Sequence, residues 1–200
     1  MSLILLYAQD MFRYVLVAIP IYAVLRFAYL KTKATGTTIR RELLLGLSVL
    51  YAVGLLSQTV LPPGYYGFEN GEFYAKAIIR SERHFNLIPL RTIWGYALTD
   101  NELVSDWGQV ANLNLLANVL LFAPIGFLLP LLRPGRAELK HVAVAGLAVS
   151  GGIEIIQFFT GRSADVDDVL LNLLGACSGY LALVAYRRFR DRAASDSVSE

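Results

Sequence analysis

The chain has 200 residues, of which 56% are hydrophobic and only 17% charged, with a formal net charge of +2. A soluble domain carries about 25% charged residues. Here the charges are also clustered, which leaves long stretches nearly free of them and argues against a soluble enzyme or a nucleic-acid partner. A hydrocarbon core about 30 Å thick takes roughly 20 apolar residues per helix, so the length suits roughly four to six spans and little soluble domain.

Five apolar segments follow in chain order: Met11 to Leu30, Leu43 to Leu61, Leu113 to Leu132, Val142 to Phe159 and Val169 to Tyr186. The expected fold class is all-α, a multi-pass transmembrane bundle of about five helices. Residues 1–62 hold the first two spans. Arg13 and Arg26 lie near the ends of the first, where long side chains reach the headgroups. No basic region precedes that segment, so it reads as a helix and not as a cleaved signal.

Residues 63–112 are expected to lie outside, at the interface. They carry Tyr65, Tyr66, Phe68, Phe73, Tyr74, Phe85, Trp94, Tyr96 and Trp107, and tyrosine and tryptophan favour the membrane–water boundary. A short amphipathic helix is expected around Arg91 to Leu98. Residues 113–186 form a core of three helices. Residues 187–200 are a basic tail, polar and disordered from Ala193 onward.

The basic residues set the expected orientation. Lys31, Lys33, Arg40 and Arg41 follow the first helix, Arg133, Arg136 and Lys140 follow the third, and Arg187, Arg188, Arg190 and Arg192 follow the fifth. In a five-helix topology all three groups fall on one side, and cytoplasmic loops are enriched in Lys and Arg. The N-terminus is then outside and the C-terminus cytoplasmic.

Polar groups inside lipid are costly and need a reason. Asn114 and Asn118 lie four apart on the third helix, and Glu154 and Gln157 lie three apart on the fourth. Asp167 and Asp168 open the fifth helix, Asn172 follows one turn later, and the preceding turn supplies Arg162 and Asp165. At 1.5 Å per residue, Glu154 lies about 9 Å and Asn172 about 6 Å from the outer ends of their helices. Three helices thus bring amides or carboxylates to one level. Gly175 and Gly179 have the spacing of closely packed membrane helices and are expected at the contact of the fourth and fifth.

Two readings fit this cluster. In one it is structural: Asp167 or Asp168 caps the fifth helix, Arg162 pairs with Asp165, and the amides bond between helices. In the other it is a shallow pocket open to the outer face, which holds a divalent cation, a sugar, or a phosphate through a cation. Four carboxylates within fifteen residues exceed what one arginine and one helix cap satisfy. No serine, histidine or cysteine sits there beside a plausible base, so no catalytic residue is assigned, and neither metal ligands nor a cofactor are identified.

Four stretches, Asn86-Leu87-Ile88-Pro89-Leu90, Asn114 through Phe127, Glu154 through Gln157 and Arg162 through Gly175, resemble in their order the VanZ-like family of bacterial membrane proteins. Leu90 stands where phenylalanine is usual. The resemblance covers about half the chain, from Asn86 to Tyr186, and the first two helices match it only in general character. It implies a multi-pass protein of the bacterial cytoplasmic membrane and adds Asn86 to the candidate ligand-binding residues. The family's founding member is an accessory factor in teicoplanin-type glycopeptide resistance. By analogy the chain is expected to contact the bilayer and an envelope glycolipid or peptidoglycan precursor. The alternatives are a cation-dependent enzyme acting on a lipid-linked phosphate or sugar, and a purely structural partner in a membrane assembly.

Overall fold

A computed structural model describes residues 3–32, 36–61, 64–69, 72–77, 85–98, 107–135, 138–160 and 162–196. The order is α1 (Leu3–Thr32), α2 (Ile39–Thr59), β1 (Gly64–Glu69), β2 (Glu72–Ala77), β3 (Phe85–Asn86), α3 (Arg91–Leu98), α4 (Trp107–Leu132), α5 (Leu139–Phe159), β4 (Ala164–Asp165) and α6 (Val166–Asp196). The chain is an all-α, multi-pass helical protein. Helices α1, α4, α5 and α6 are long and apolar enough to cross a membrane.

Among the described residues that makes four spans by length and hydropathy against the five expected. Helix α2 has Arg40, Arg41 and Glu42 at its start and Ser57, Gln58 and Thr59 at its end. Its hydroxyls are nonetheless satisfied within the helix. Ser48 donates to the Leu44 carbonyl at 2.7 Å, Ser57 to Gly54 at 2.7 Å and Thr59 to Leu55 at 2.8 Å. Such back-bonding removes the exposed donor that would penalise transfer into lipid.

The interfacial segment was expected to be a loop with one short helix. It contains that helix, α3, and also an antiparallel hairpin in which Gly64 faces Ala77 and Glu69 faces Glu72. The side chains of β1 and β2 lie outside the described residues, as do the side chain of Trp107 and residues Lys33, His84 and Arg136. Helix α6 runs on to Asp196, into the tail expected to be disordered. An intact helix needs no packing partner to satisfy its backbone, which explains how it extends past the apolar stretch.

The chain divides into two compact units. In the first, residues 1–85 and 155–164, α1 packs on α2. A Cβ at Gly54 would meet Met11 at 3.2 Å, and one at Gly46 would touch Tyr22 at 3.4 Å. Both nitrogens of the Arg26 fork donate to Glu42 at 2.6 Å, and Thr37 adds a 2.5 Å bond to the same carboxylate. Thr38 caps α2 by accepting from the Arg41 N–H.

In the second unit, residues 86–154 and 165–200, α4 packs most closely on α6. Here three glycines leave no room for a side chain. A Cβ at Gly175 would lie 2.1 Å from the Val119 carbonyl oxygen, one at Gly179 1.9 Å from that of Ala123, and one at Gly126 1.8 Å from that of Ala176. The glycine spacing predicts a close helix contact, but the partner of Gly175 and Gly179 is α4 and not α5. Phe122, Val142, Ile153, Ala176 and Leu183 fill the core around this seam.

Candidate functional site

The polar cluster is built around the start of α6. Strand β4, directly ahead of that helix, pairs with β3, which brings the Asn86 segment beside Asp165. Asp165 Oδ1 accepts from the Asp167 N–H and from Asn86 Nδ2, both at 2.9 Å. The first bond makes Asp165 the N-cap of α6, the role expected of Asp167 or Asp168. Thr92 Oγ1 donates to the other Asp165 oxygen and accepts from Asn86 Nδ2 at 3.1 Å. Asn86 Oδ1 in turn accepts from the Ile88 N–H at 3.1 Å, the Asx turn that short amides favour.

Asp167 is fully buried and caps a different helix. Its Oδ1 accepts from the Leu90 N–H at 2.5 Å, and its Oδ2 from the N–H groups of Thr92 at 2.7 Å and Ile93 at 3.2 Å. Those are orphan donors at the start of α3, where a negative charge is favoured. Leu90 holds the cap position, since its carbonyl accepts from the Trp94 N–H at 2.8 Å, yet leucine has no side-chain acceptor. Asp167 supplies one from a helix 77 positions away. Leu90 is also the one non-glycine residue with positive φ, +66°, among the described residues, a conformation that the clamp must hold against its own strain.

Two further pairs join helices of this unit. Asn118 Nδ2 donates to Asp168 Oδ1 at 2.5 Å, between α4 and α6. Asn172 Nδ2 donates to Ser150 Oγ at 2.9 Å, between α6 and α5. Glu154 is buried and its Oε2 accepts from the Asp165 N–H at 2.7 Å. Asp165, Asp168, Asn118 and Asn114 are half-buried, so each keeps one side uncovered by the rest of the chain. The Asn172 Oδ1 and the Gln157 Oε1 are buried acceptors without a hydrogen-bond partner.

Gln157 and Arg162 belong to the other unit. Gln157 Nε2 donates to the Thr59 carbonyl at 2.7 Å, and Arg162 Nη1 to the carbonyls of Leu61 at 2.9 Å and Gln58 at 3.5 Å. Both therefore satisfy orphan carbonyls where α2 ends. Thr92 and Ser150 are site residues that the sequence reading missed. Thr92 lies six residues beyond Asn86, a spacing that carries no meaning until the turn between them is drawn. Among the described residues no three of His, Cys, Asp or Glu are grouped to hold a metal ion.

Four apolar spans and a carboxylate-clamped turn at the head of the last define a polytopic membrane protein with one organised polar end. The VanZ/LLP1 family model matches residues 47–187, more than half the chain, and the chain belongs to that family. No curated protein and no solved structure matches it.

Proposed function

We propose that this chain is a protein of the bacterial cytoplasmic membrane that binds the polar head of an envelope glycolipid or peptidoglycan precursor. Binding takes place at the outer ends of α4 and α6 and alters susceptibility to teicoplanin-type glycopeptides. The observation that carries this reading is the Asn118–Asp168 pair, an amide and a carboxylate 2.5 Å apart on two spans and still half-exposed. Amide and carboxylate together offer both donors and acceptors to sugar hydroxyls and peptide groups. Asp167, by contrast, spends its oxygens on backbone donors and has a structural role.

The replacements Asn118→Ala and Asp168→Ala should leave membrane levels unchanged and lower the melting temperature in detergent only slightly, because each removes one half-exposed interhelical hydrogen bond. In a host whose teicoplanin susceptibility depends on the protein, both should lose that effect. Full retention of the effect by both variants would reduce the pair to interhelical hydrogen bonding.

The same reading fixes an orientation in which α2 is a fifth crossing. Without it, the basic residues after α1 would fall on the side opposite those after α4 and α6, against the usual bias. With it, the N-terminus is outside and the C-terminus cytoplasmic. In a Cys177→Ala background, Ser163→Cys should react with an impermeant thiol reagent added outside, because Ser163 is exposed. Gly36→Cys, also exposed, should react only after the membrane is opened. The reverse labelling pattern would overturn the orientation.

A further inference from the structure

The turn from Asn86 to Leu90 and the helix that follows present apolar side chains outward. Leu87 is 66% exposed, Trp94 57% and Leu98 73%, with Ile88 and Leu90 also open. On α3, Arg91, Trp94 and Leu98 fall at positions i, i+3 and i+7, one face of a helix, and all three are exposed. Ile93 and Tyr96, on the other faces, are half-buried. An exposed apolar turn is usually a mobile one, but this one is anchored at both ends. Asp167 holds three of its N–H groups, and Asp165 holds Asn86 and Thr92. Leu90 is kept at positive φ in the same place. Strain that the surroundings hold in position is common where a surface must keep one shape.

What covers this surface follows from where it is tied. Asp167 is the second residue of the stretch Val166–Ser195, which is long and apolar enough to span a bilayer. A turn bonded directly to that first helical turn sits at the level where the span leaves the membrane. Apolar side chains pointing outward at that level meet lipid. A cation, an indole and an aliphatic chain on one helix face are also the side-chain types that interfacial helices carry.

We propose that residues 87–98 form a rigid apolar wedge that inserts into the leaflet at which α6 begins, with Trp94 at the depth of the lipid glycerols and upper acyl carbons. The wedge depends neither on which side of the membrane that leaflet faces nor on the head-group ligand proposed above. It makes the bilayer itself the partner of this surface. The carboxylate clamp sets the depth, so that the half-exposed Asn118–Asp168 pair is open to molecules that diffuse within the leaflet.

The sequence contains two tryptophans, so Trp107→Phe leaves Trp94 as the sole indole. That full-length variant would be reconstituted in phosphatidylcholine–phosphatidylglycerol vesicles whose acyl chains carry bromine near either the glycerol end or the methyl end. Trp94 should lose most of its emission with bromine near the glycerol end and less with bromine near the methyl end, and aqueous iodide should quench it weakly. Adding Ile88→Glu should restore emission in the brominated vesicles and raise iodide quenching, while the melting profile in detergent holds because Ile88 is already exposed. Strong iodide quenching with no effect of bromine would mean that the turn faces water and would sink the wedge. Shielding from both quenchers would mean that a second protein or another part of this chain covers it, and would sink it equally.

Discussion

Gly175→Ala and Gly179→Ala are expected to cost nearly as much stability as the corresponding leucine variants. The first atom added is the one that cannot fit, because it would lie 2.1 Å from the Val119 carbonyl oxygen or 1.9 Å from that of Ala123. Side-chain neighbours can rotate away from an added methyl group, and such overpacking costs about 1–3 kcal/mol. Here the neighbour is the backbone of α4, so the two helices must separate along the seam. The cost should reach or exceed about 3 kcal/mol, the upper end of that range. Gly151 and Gly152 on α5 provide the control, since a Cβ at either meets nothing within 4 Å. Replacing them with alanine should be neutral or stabilising by up to about 1 kcal/mol through helix propensity. Thermal melting in detergent, followed by loss of the monodisperse species, separates the two outcomes. Equal melting temperatures for Gly175→Ala and Gly151→Ala would mean that α4 and α6 do not approach as closely as their glycines imply.

The glycine seam shows what kind of information the chain carries in one dimension. Residues four apart share a face, so Gly175 and Gly179 announce a close approach. They do not say to what. A short connection between α5 and α6 makes α5 the natural guess, but the carbonyls against these glycines belong to Val119 and Ala123 of α4. The apolar runs predict the helices for a similar local reason, since length and hydropathy are properties of a single segment. Helix α2 is less legible because both of its ends are polar. The hairpin β1–β2 has its signal in Asn70-Gly71, which stands between two aromatic-rich runs and favours a two-residue turn.

The candidate site was legible as a set of residues and much less so as a set of roles. Helical spacing puts Asp168 with Asn172 and Asn114 with Asn118, and cost in lipid marks them as purposeful. Whether a carboxylate caps its own helix, caps another or bonds to a side chain depends on which distant segment arrives beside it. Asp165 and Asp167 illustrate this. They are two residues apart, yet Asp165 caps α6 while Asp167 caps α3. Arg162 and Gln157 belong with the end of α2 for the same reason, because their partners lie about a hundred positions away.

Asp167→Ala is expected to free the Asn86–Leu98 segment without dismantling the helices beneath it. The variant leaves three backbone N–H groups, those of Leu90, Thr92 and Ile93, without their acceptor. An unsatisfied buried donor costs about 1–3 kcal/mol, so the three together, even with partial recovery by water, amount to about 3 kcal/mol or more. That exceeds what an eight-residue helix keeps on its own, since isolated helices shorter than about 12 residues are marginal. Leu90 would then relax from its positive φ, and the turn would lose its shape. Asp167→Asn should rescue little. Its single amide oxygen can accept from one side of the cluster, but its NH2 group would face donors on the other. The seam of Gly175 and Gly179 against α4 uses none of these bonds, so the opening should stay local. Hydrogen exchange in detergent provides the measurement. In Asp167→Ala the amides of Leu90, Thr92 and Ile93 should exchange faster by two orders of magnitude or more, at about 1.4 kcal/mol per factor of ten, while those around Val119 and Gly175 keep their protection. Uniform acceleration across both regions would make Asp167 a keystone of the whole helical unit. Unchanged exchange at Leu90 and Thr92 would mean that the turn is held by Asn86, Thr92 and Asp165 alone.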